Sequence, residues 1–370
     1  MHRRRFSSLI GATLLAFATP KSKAISSQYL LYVGTYSKNI YAFRYDAATG
    51  GLEPLSEVGE LVHPSFLTAD SHHRFLFAVS ERDGKEIGAV ASFEIDYSNG
   101  KLKLLSTQSS EGLSPCHLAV DRTNKMLAAA NYGSGSVATY PLGADGKIGR
   151  RISLEEAAGS GPGQRAPHAH QTVFSADNKF LYVPDLGLDE IRIFRVDPAA
   201  AKIIPADPPS VQVEPGMGPR HIAFSPDDKF AYVINELKSA VTVFSHDAKT
   251  GMLTHLQTIS SGKEGIGAAE ILVGKRGKFV YSSNRHSGTI AVFSVDHVTG
   301  KLTRIQLAET GGTFPRGMEL DPPGHYLLAG DQKSDKIAVF SVDARTGQLT
   351  LTGQTYQVPS PVSFVFVPVK

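Results

Sequence analysis

The sequence predicts an all-β fold, a seven-bladed β-propeller with four antiparallel strands per blade. Three observations carry that prediction. A strand–turn–strand motif recurs seven times at intervals of about fifty residues. A second hairpin precedes each copy, and the two ends of the chain supply complementary parts of one unit.

The recurring motif reads IYAFRYDAATGGL (40–52), VASFEIDYSNGKL (90–102), VTVFSHDAKTGML (241–253), IAVFSVDHVTGKL (290–302) and IAVFSVDARTGQL (337–349). Two copies depart from it: IRIFRVDPAAAKI (191–203) has Ala201 where the others have Gly, and VATYPLGADGKI (137–148) is shortened. Alternation of apolar and polar residues is the period of a strand with one buried face. The Asp-x-x-Thr-Gly end closes a short hairpin in which Gly takes a positive φ. The recurrent Phe93, Phe194, Phe244, Phe293 and Phe340 are expected to pack between blades.

The upstream hairpin is clearest in RHIAFSPDDKFAYVIN, a strand, a Ser-Pro-Asp-Asp turn and a second strand. SFLTADSHHRFLFAVS, CHLAVDRTNKMLAAAN, HQTVFSADNKFLYVPD, AEILVGKRGKFVYSSN and RGMELDPPGHYLLAGD repeat it. Four-stranded units at this period cannot bury both faces alone, so neighbours must stack. YLLYVGTY (29–36) is a second strand with no first strand before it, and VSFVFVP (362–368) is a first strand with no blade after it. Joined, they complete the first blade and leave no open sheet edge.

In each hairpin the residue before the first strand and the residue after the second lie at one edge of the sheet. In a propeller that edge faces one mouth of the central channel. The first position holds Ser65, Cys116, His170, Arg220, Ala269, Arg316 and Val362 in turn. The second holds Thr35, Glu81, Tyr132, Leu186, Glu236, Arg285 and Gln332, preceded in five repeats by Asn131, Asp185, Asn235, Asn284 and Asp331. Framework positions stay apolar while these vary and are polar. His170, Arg220, Glu236, Arg285 and Arg316 would therefore converge on one side of the ring as candidate site residues, with Asn284, Asp185 and Glu81 beside them as candidate substrate-binding residues. Arginines bind carboxylate or phosphate in pairs of hydrogen bonds, and a histidine and a carboxylate beside them can move protons.

Composition narrows the setting. The 370 residues are 41% hydrophobic and 20% charged, as in ordinary globular proteins. Residues 1–24 have the layout of an export signal: basic MHRRRF, apolar SSLIGATLLAFA, and TPKSKA ending in small residues. Arg3, Arg4, Arg5 and Phe6 also fit a twin-arginine signal. The expectation is a leader over 1–24 and one propeller domain over 25–370, periplasmic or secreted, or cytoplasmic if the leader does not function. Removing the leader's five basic groups from a formal charge of +3 leaves −2, which argues against nucleic acid as a partner. After cleavage no membrane association is expected, and the chain is expected to be a monomer. Its one cysteine, Cys116, allows no intrachain disulfide. Cys116 beside His117 is read as a small channel filler, since strand neighbours face opposite ways. His168 and His170 form H-x-H, but no further ligands stand at suitable spacing, so neither metal nor cofactor is expected.

The motifs GPRHIAFSPDDKFAYVINEL, YSSNRHSGTIAVFSVD and PHAHQTVFSADNKFLYVPDLG resemble those of the seven-bladed propeller lactonases, a resemblance covering residues 29–368. That group includes 6-phosphogluconolactonases and carboxy-cis,cis-muconate cyclase. The resemblance implies a lactone hydrolase acting on a small anionic or sugar lactone. Its site histidine would fall on His170, its arginines on Arg220 and Arg285, and its glutamate on Glu236. FPRGMELD departs from the motif, with Gly317 where its own repeat elsewhere has His221. Lactonization of an unsaturated dicarboxylate, and ligand binding without turnover, stand as alternatives.

Overall fold

The structure, a computed structural model, describes residues 28–369 apart from 83, 162–164, 263–264 and 266. The leader expected over 1–24 lies outside the described residues. Seven four-stranded antiparallel sheets follow one another along the chain. Six are built in simple sequence order. The first is closed by the last strand, Pro361–Pro368, which pairs with Gln28–Thr35 in a register running from Tyr29↔Pro368 to Gly34↔Ser363. We number that blade 1 and count onward to blade 7, Pro315–Gln357.

The innermost strands are Pro361–Pro368, Leu67–Ala69, Pro115–Val120, Val173–Phe174, Pro219–Phe224, Ala268–Val273 and Pro315–Leu320. The apolar core lies between blades, as stacking requires: one cluster joins Phe230, Tyr232 and Val241 of blade 5 to Ile271, Val280 and Phe293 of blade 6. Phe93, Phe194, Phe244, Phe293 and Phe340 are all buried in such clusters.

A repeated device clamps neighbouring blades. The turn glycine of one blade sits on an aromatic ring of the blade before it: Gly251 on Phe180, Gly300 on Phe230, Gly347 on Phe279 and Gly50 on Tyr326. Carbonyls of three such turns accept hydrogen bonds from buried tyrosines of the preceding blade, Tyr32 to Gly100, Tyr182 to Gly251 and Tyr281 to Gly347.

Five inner strands carry a β-bulge where they begin, with Cys116, Arg220, Arg316 and Val362 each skipped by the ladder and one extra residue between Ala268 and Ile271. A bulge breaks the in–out alternation and re-aims side chains. Consecutive residues can therefore both face the channel.

Candidate functional site

Glu236 follows the second strand of blade 5, Phe230–Asn235, and its N–H donates to Gly218 O at 2.8 Å. The loop before Arg220 is fixed by Asp189, whose carboxylate accepts from the Gly216 and Gly218 N–H groups and from Arg165, each at 2.7 Å. Gly267 then brackets two site residues. Its N–H donates to Glu236 O at 2.7 Å, and its carbonyl accepts from Arg285 N at 2.8 Å and Arg285 Nε at 3.1 Å. Gly267 has φ +136°, and a Cβ there would lie 2.4 Å from the His286 ring, so the bracket needs glycine.

These supports place one carboxylate between two guanidiniums. Glu236 Oε1 is 2.7 Å from Arg285 Nη2, and Glu236 Oε2 is 3.2 Å from Arg220 Nε. Arg220 is 3% exposed and Arg285 7%. Burial works against the Glu236 charge, but Arg220 and Arg285 outweigh it and hold the carboxyl below its ordinary value. Arg220 is itself lowered to about 10, by burial and then by Arg316 and Arg285. Arg285 also lies over the Phe314 ring, 5.2 Å from its centroid.

Across the mouth a second chain of contacts spans three blades. Arg316 Nη2 donates to the Tyr36 hydroxyl at 2.9 Å, and Tyr36 donates to Glu81 Oε2 at 2.8 Å. Ser65 donates to the same oxygen at 2.5 Å. Arg220 and Arg316 line one small cavity with Tyr36, Cys116, His221 and Glu270.

His170 is 4% exposed. Burial, reinforced by Arg220 and His221, holds its pKa well below the ordinary value, so the ring is neutral at pH 7. Its ring centroid lies 5.2 Å from that of His221 and 5.5 Å from that of Tyr132. His168 has a different place: it stacks on Tyr132 at 4.4 Å and hydrogen-bonds the Tyr132 carbonyl. Among the described residues no group of three or more His, Cys, Asp and Glu is arranged to hold a metal ion.

The structure thus brings together His170, Arg220, Glu236, Arg285, Arg316 and Glu81. It uses Asp185 and Asn284 otherwise. Asp185 accepts from the backbone N–H groups of His168, Gly187 and Leu188 at 2.8–3.1 Å. Asn284 binds Ser261, which follows the outermost strand of blade 5, and Thr289 of its own blade. Asn131 and Asn235 make the same kind of bond within their own blades. Within that row Asn131 and Asn235 tie the second strand to the third, while Asn284 and Asp331 reach the chain leaving the preceding blade.

The opposite-face argument for Cys116 needs correcting. The bulge turns both Cys116 and His117 toward the channel, and Cys116 Sγ lies 3.8 Å from His170 Nδ1. Burial pushes the Cys116 thiol's pKa up, which works against its use as a nucleophile. Sequence reasoning missed Tyr36, Tyr132 and the pair His221–Glu270 as members of the site. The bulge gives no sequence signal, although His221 was already visible in the PRH motif.

A larger cavity, about 650 Å³, opens at the far end of the inner strands, lined by residues including Phe66, Val120, Phe174, Lys275 and Glu319. The arginine cluster lies at the other mouth.

Residues 30–366 match the family model described as lactonase, 7-bladed beta-propeller. The chain is 33% identical over 241 residues to a 6-phosphogluconolactonase of Bacillus subtilis, covering 64% of this chain and 67% of the relative. It is 32% identical over 226 residues to a 6-phosphogluconolactonase of Formosa agariphila, covering 58% and 64%. The aligned segments therefore span about two thirds of these curated relatives. The solved periplasmic gluconolactonase of Pseudomonas aeruginosa superposes with a TM-score of 0.87 at 33% identity, covering 93% of this chain and all of that one.

Proposed function

From the premise that this chain belongs to the seven-bladed β-propeller lactonase family, we propose that it hydrolyses a sugar lactone at the arginine-lined mouth. The supporting observation is the shared Glu236 carboxylate. It is hydrogen-bonded by Arg285 Nη2 and ion-paired with Arg220, whose Nε lies 3.2 Å away without making a hydrogen bond, and Arg220 Nη2 and Arg285 Nη1 have no protein hydrogen-bond acceptor among the described residues. Those N–H groups are the oxyanion donors. Neutral His170 is the base.

A water oxygen attacks the lactone carbonyl carbon and His170 takes the water proton. Negative charge develops on the carbonyl oxygen, where the two arginines stabilise it. As the tetrahedral intermediate collapses, the ring C–O bond breaks and His170 returns the proton to the departing alkoxide. The product is an open-chain hydroxy acid, whose carboxyl ionises in water. Arg316, held by Tyr36 and Glu81, binds substrate oxygens from the other side. Glu236 is too firmly paired to serve as the base.

Three guanidiniums face Glu236, Glu81 and, when it is ionised, Glu270, which leaves a net charge of zero to one positive. That balance suits an uncharged or singly charged lactone better than a phosphate dianion. It agrees with an exported enzyme, the location we propose from residues 1–24; among the described residues no helix is long and apolar enough to cross a membrane.

The test is a panel of phosphorylated and unphosphorylated aldonolactones, assayed with and without chelator, on the wild type and Arg285→Ala. We expect turnover of an unphosphorylated lactone, unaffected by chelator, and a loss of about 10²–10³ in kcat for the variant. Unchanged turnover in Arg285→Ala would overturn the site. Binding of sugar acids with no turnover of any lactone would make the protein a binding module, and ring closure of an unsaturated dicarboxylate would make it a cyclase.

A further inference from the structure

One rung below the arginines, a buried chain of polar contacts runs down the channel. His221 Nδ1 lies 2.7 Å from Glu270 Oε1, and His221 Nε2 lies 3.3 Å from Arg220 Nη1. A guanidinium N–H can only donate. Nε2 is therefore the acceptor, and Nδ1 carries the proton it gives to Glu270. The glutamate comes from blade 6 and the other two residues from blade 5, so the chain also crosses a blade interface. Bulges in both inner strands aim it.

Resting on the lactonase reading above, we propose that His221 and Glu270 are positioning residues for Arg220, a carboxylate–imidazole–guanidinium chain that makes the arginine's hold on the oxyanion depend on one buried proton. Arg220 Nη1 has two acceptors beneath it, Ala269 O at 2.6 Å and His221 Nε2. The second acceptor exists only in one tautomer of His221, and ionised Glu270 selects that tautomer. When Glu270 is protonated it can donate to Nδ1, which moves the ring proton to Nε2. Two N–H groups then face each other, and Arg220 loses its fixed orientation.

The charges around the pair define the range in which this happens. Glu270 is faced by Arg220 from blade 5 and by Arg316 and Glu319 from blade 7. His221 is faced by His117, His170, Glu236 and Arg285 as well. Burial raises the Glu270 carboxyl to about 7, against the opposing pull of Arg220 and Arg316. His170 titrates well below 6.5, so its acid limb and that of Glu270 are separable.

The experiment compares wild type, Glu270→Gln and Glu270→Asp by kcat/KM between pH 5.5 and 8.5, corrected for spontaneous lactone hydrolysis. Imidazole ¹⁵N NMR is run on the same samples. We expect wild-type kcat/KM to rise through about pH 7. In Glu270→Gln that limb should vanish, with activity at pH 8 lower by about 10- to 100-fold. Glu270→Asp should keep the limb. A wild-type profile in Glu270→Gln overturns the proposal. The NMR readout needs no turnover: His221 protonated on Nδ1 at pH 8 supports the chain, and protonation on Nε2 overturns it even if the protein proves not to be a lactonase.

Discussion

At the scale of single residues, the mouth separates groups that share a location from groups that share a function. Cys116 and His170 touch, and both are nearly inaccessible. Burial acts on them oppositely. It raises the thiol's pKa, so no thiolate is present to attack a carbonyl, and it lowers the imidazole's, so the ring is a free base at neutral pH. We therefore expect Cys116→Ala to keep lactone turnover within about threefold, while His170→Ala loses about 10²–10⁴. Parallel steady-state kinetics on the two variants would check this, and equal losses would mean that the contact rather than the base is what matters. His170 also sets the acid end of the pH profile. Below the limb near pH 7 that Glu270 sets, a second loss should follow well below pH 6.5, as the His170 ring takes a proton.

At the scale of elements, the blade hairpins show which parts of this structure a sequence can express. The turn of Asp-x-x-Thr-Gly was legible because its chemistry is local. Asp296 accepts from the N–H groups of Val298 and Thr299, and Gly300 closes the turn at φ +71°. The reason for the glycine is only half local. A Cβ on Gly300 would stand 2.2 Å from the ring of Phe230 in the preceding blade. Blade 4 tests the logic: Ala201 occupies this place at φ +51°, and it shares its cluster with Met126 of blade 3, flexible where Gly300 meets an aromatic ring. Gly300→Ala should therefore cost more than the usual penalty for a positive-φ glycine, about 2–4 kcal/mol in all. Chemical denaturation measures it, and Gly300→Ala combined with Phe230→Met should recover part of the loss. The mouth positions were legible for the same reason as the turn, since strand counting puts Arg220, Glu236, Arg285 and Arg316 at one edge. The bulges were not, because skipping one residue in a ladder leaves no mark on composition or period. That is why Glu270 went unseen. Asp185 and Asn284 were sound by counting, but Asp185 is spent on the N–H groups of His168, Gly187 and Leu188, and Asn284 on Ser261 and Thr289.

At the scale of the molecule, ring closure and the site are one problem. The last strand covers Leu30, Leu31, Tyr32 and Val33 of the first, all fully buried, and itself buries Val362, Phe364 and Val367. Burying each large apolar side chain is worth about 1.5–3 kcal/mol, so losing this strand removes an amount comparable with the whole stability of a domain, about 5–15 kcal/mol. The closing seam also runs through the mouth. Arg316 of blade 7 reaches Tyr36 of blade 1, which reaches Glu81 of blade 2, and the Tyr36 N–H is fixed by Ser360 O at 3.2 Å. The Arg220–Glu236–Arg285 group needs only blades 5 and 6. Truncation after Ser360 should therefore abolish the cooperative thermal transition and lactone turnover together. A synthetic peptide of residues 359–370 should restore both in a concentration-dependent way, because it binds only the folded ring. Calorimetry and turnover on the same titration separate the alternatives. A truncated chain that melts at the wild-type Tm would show that the seam is not what holds the ring. A chain that regains its transition but not its turnover would place the site's dependence on the Arg316–Tyr36–Glu81 side rather than on closure itself.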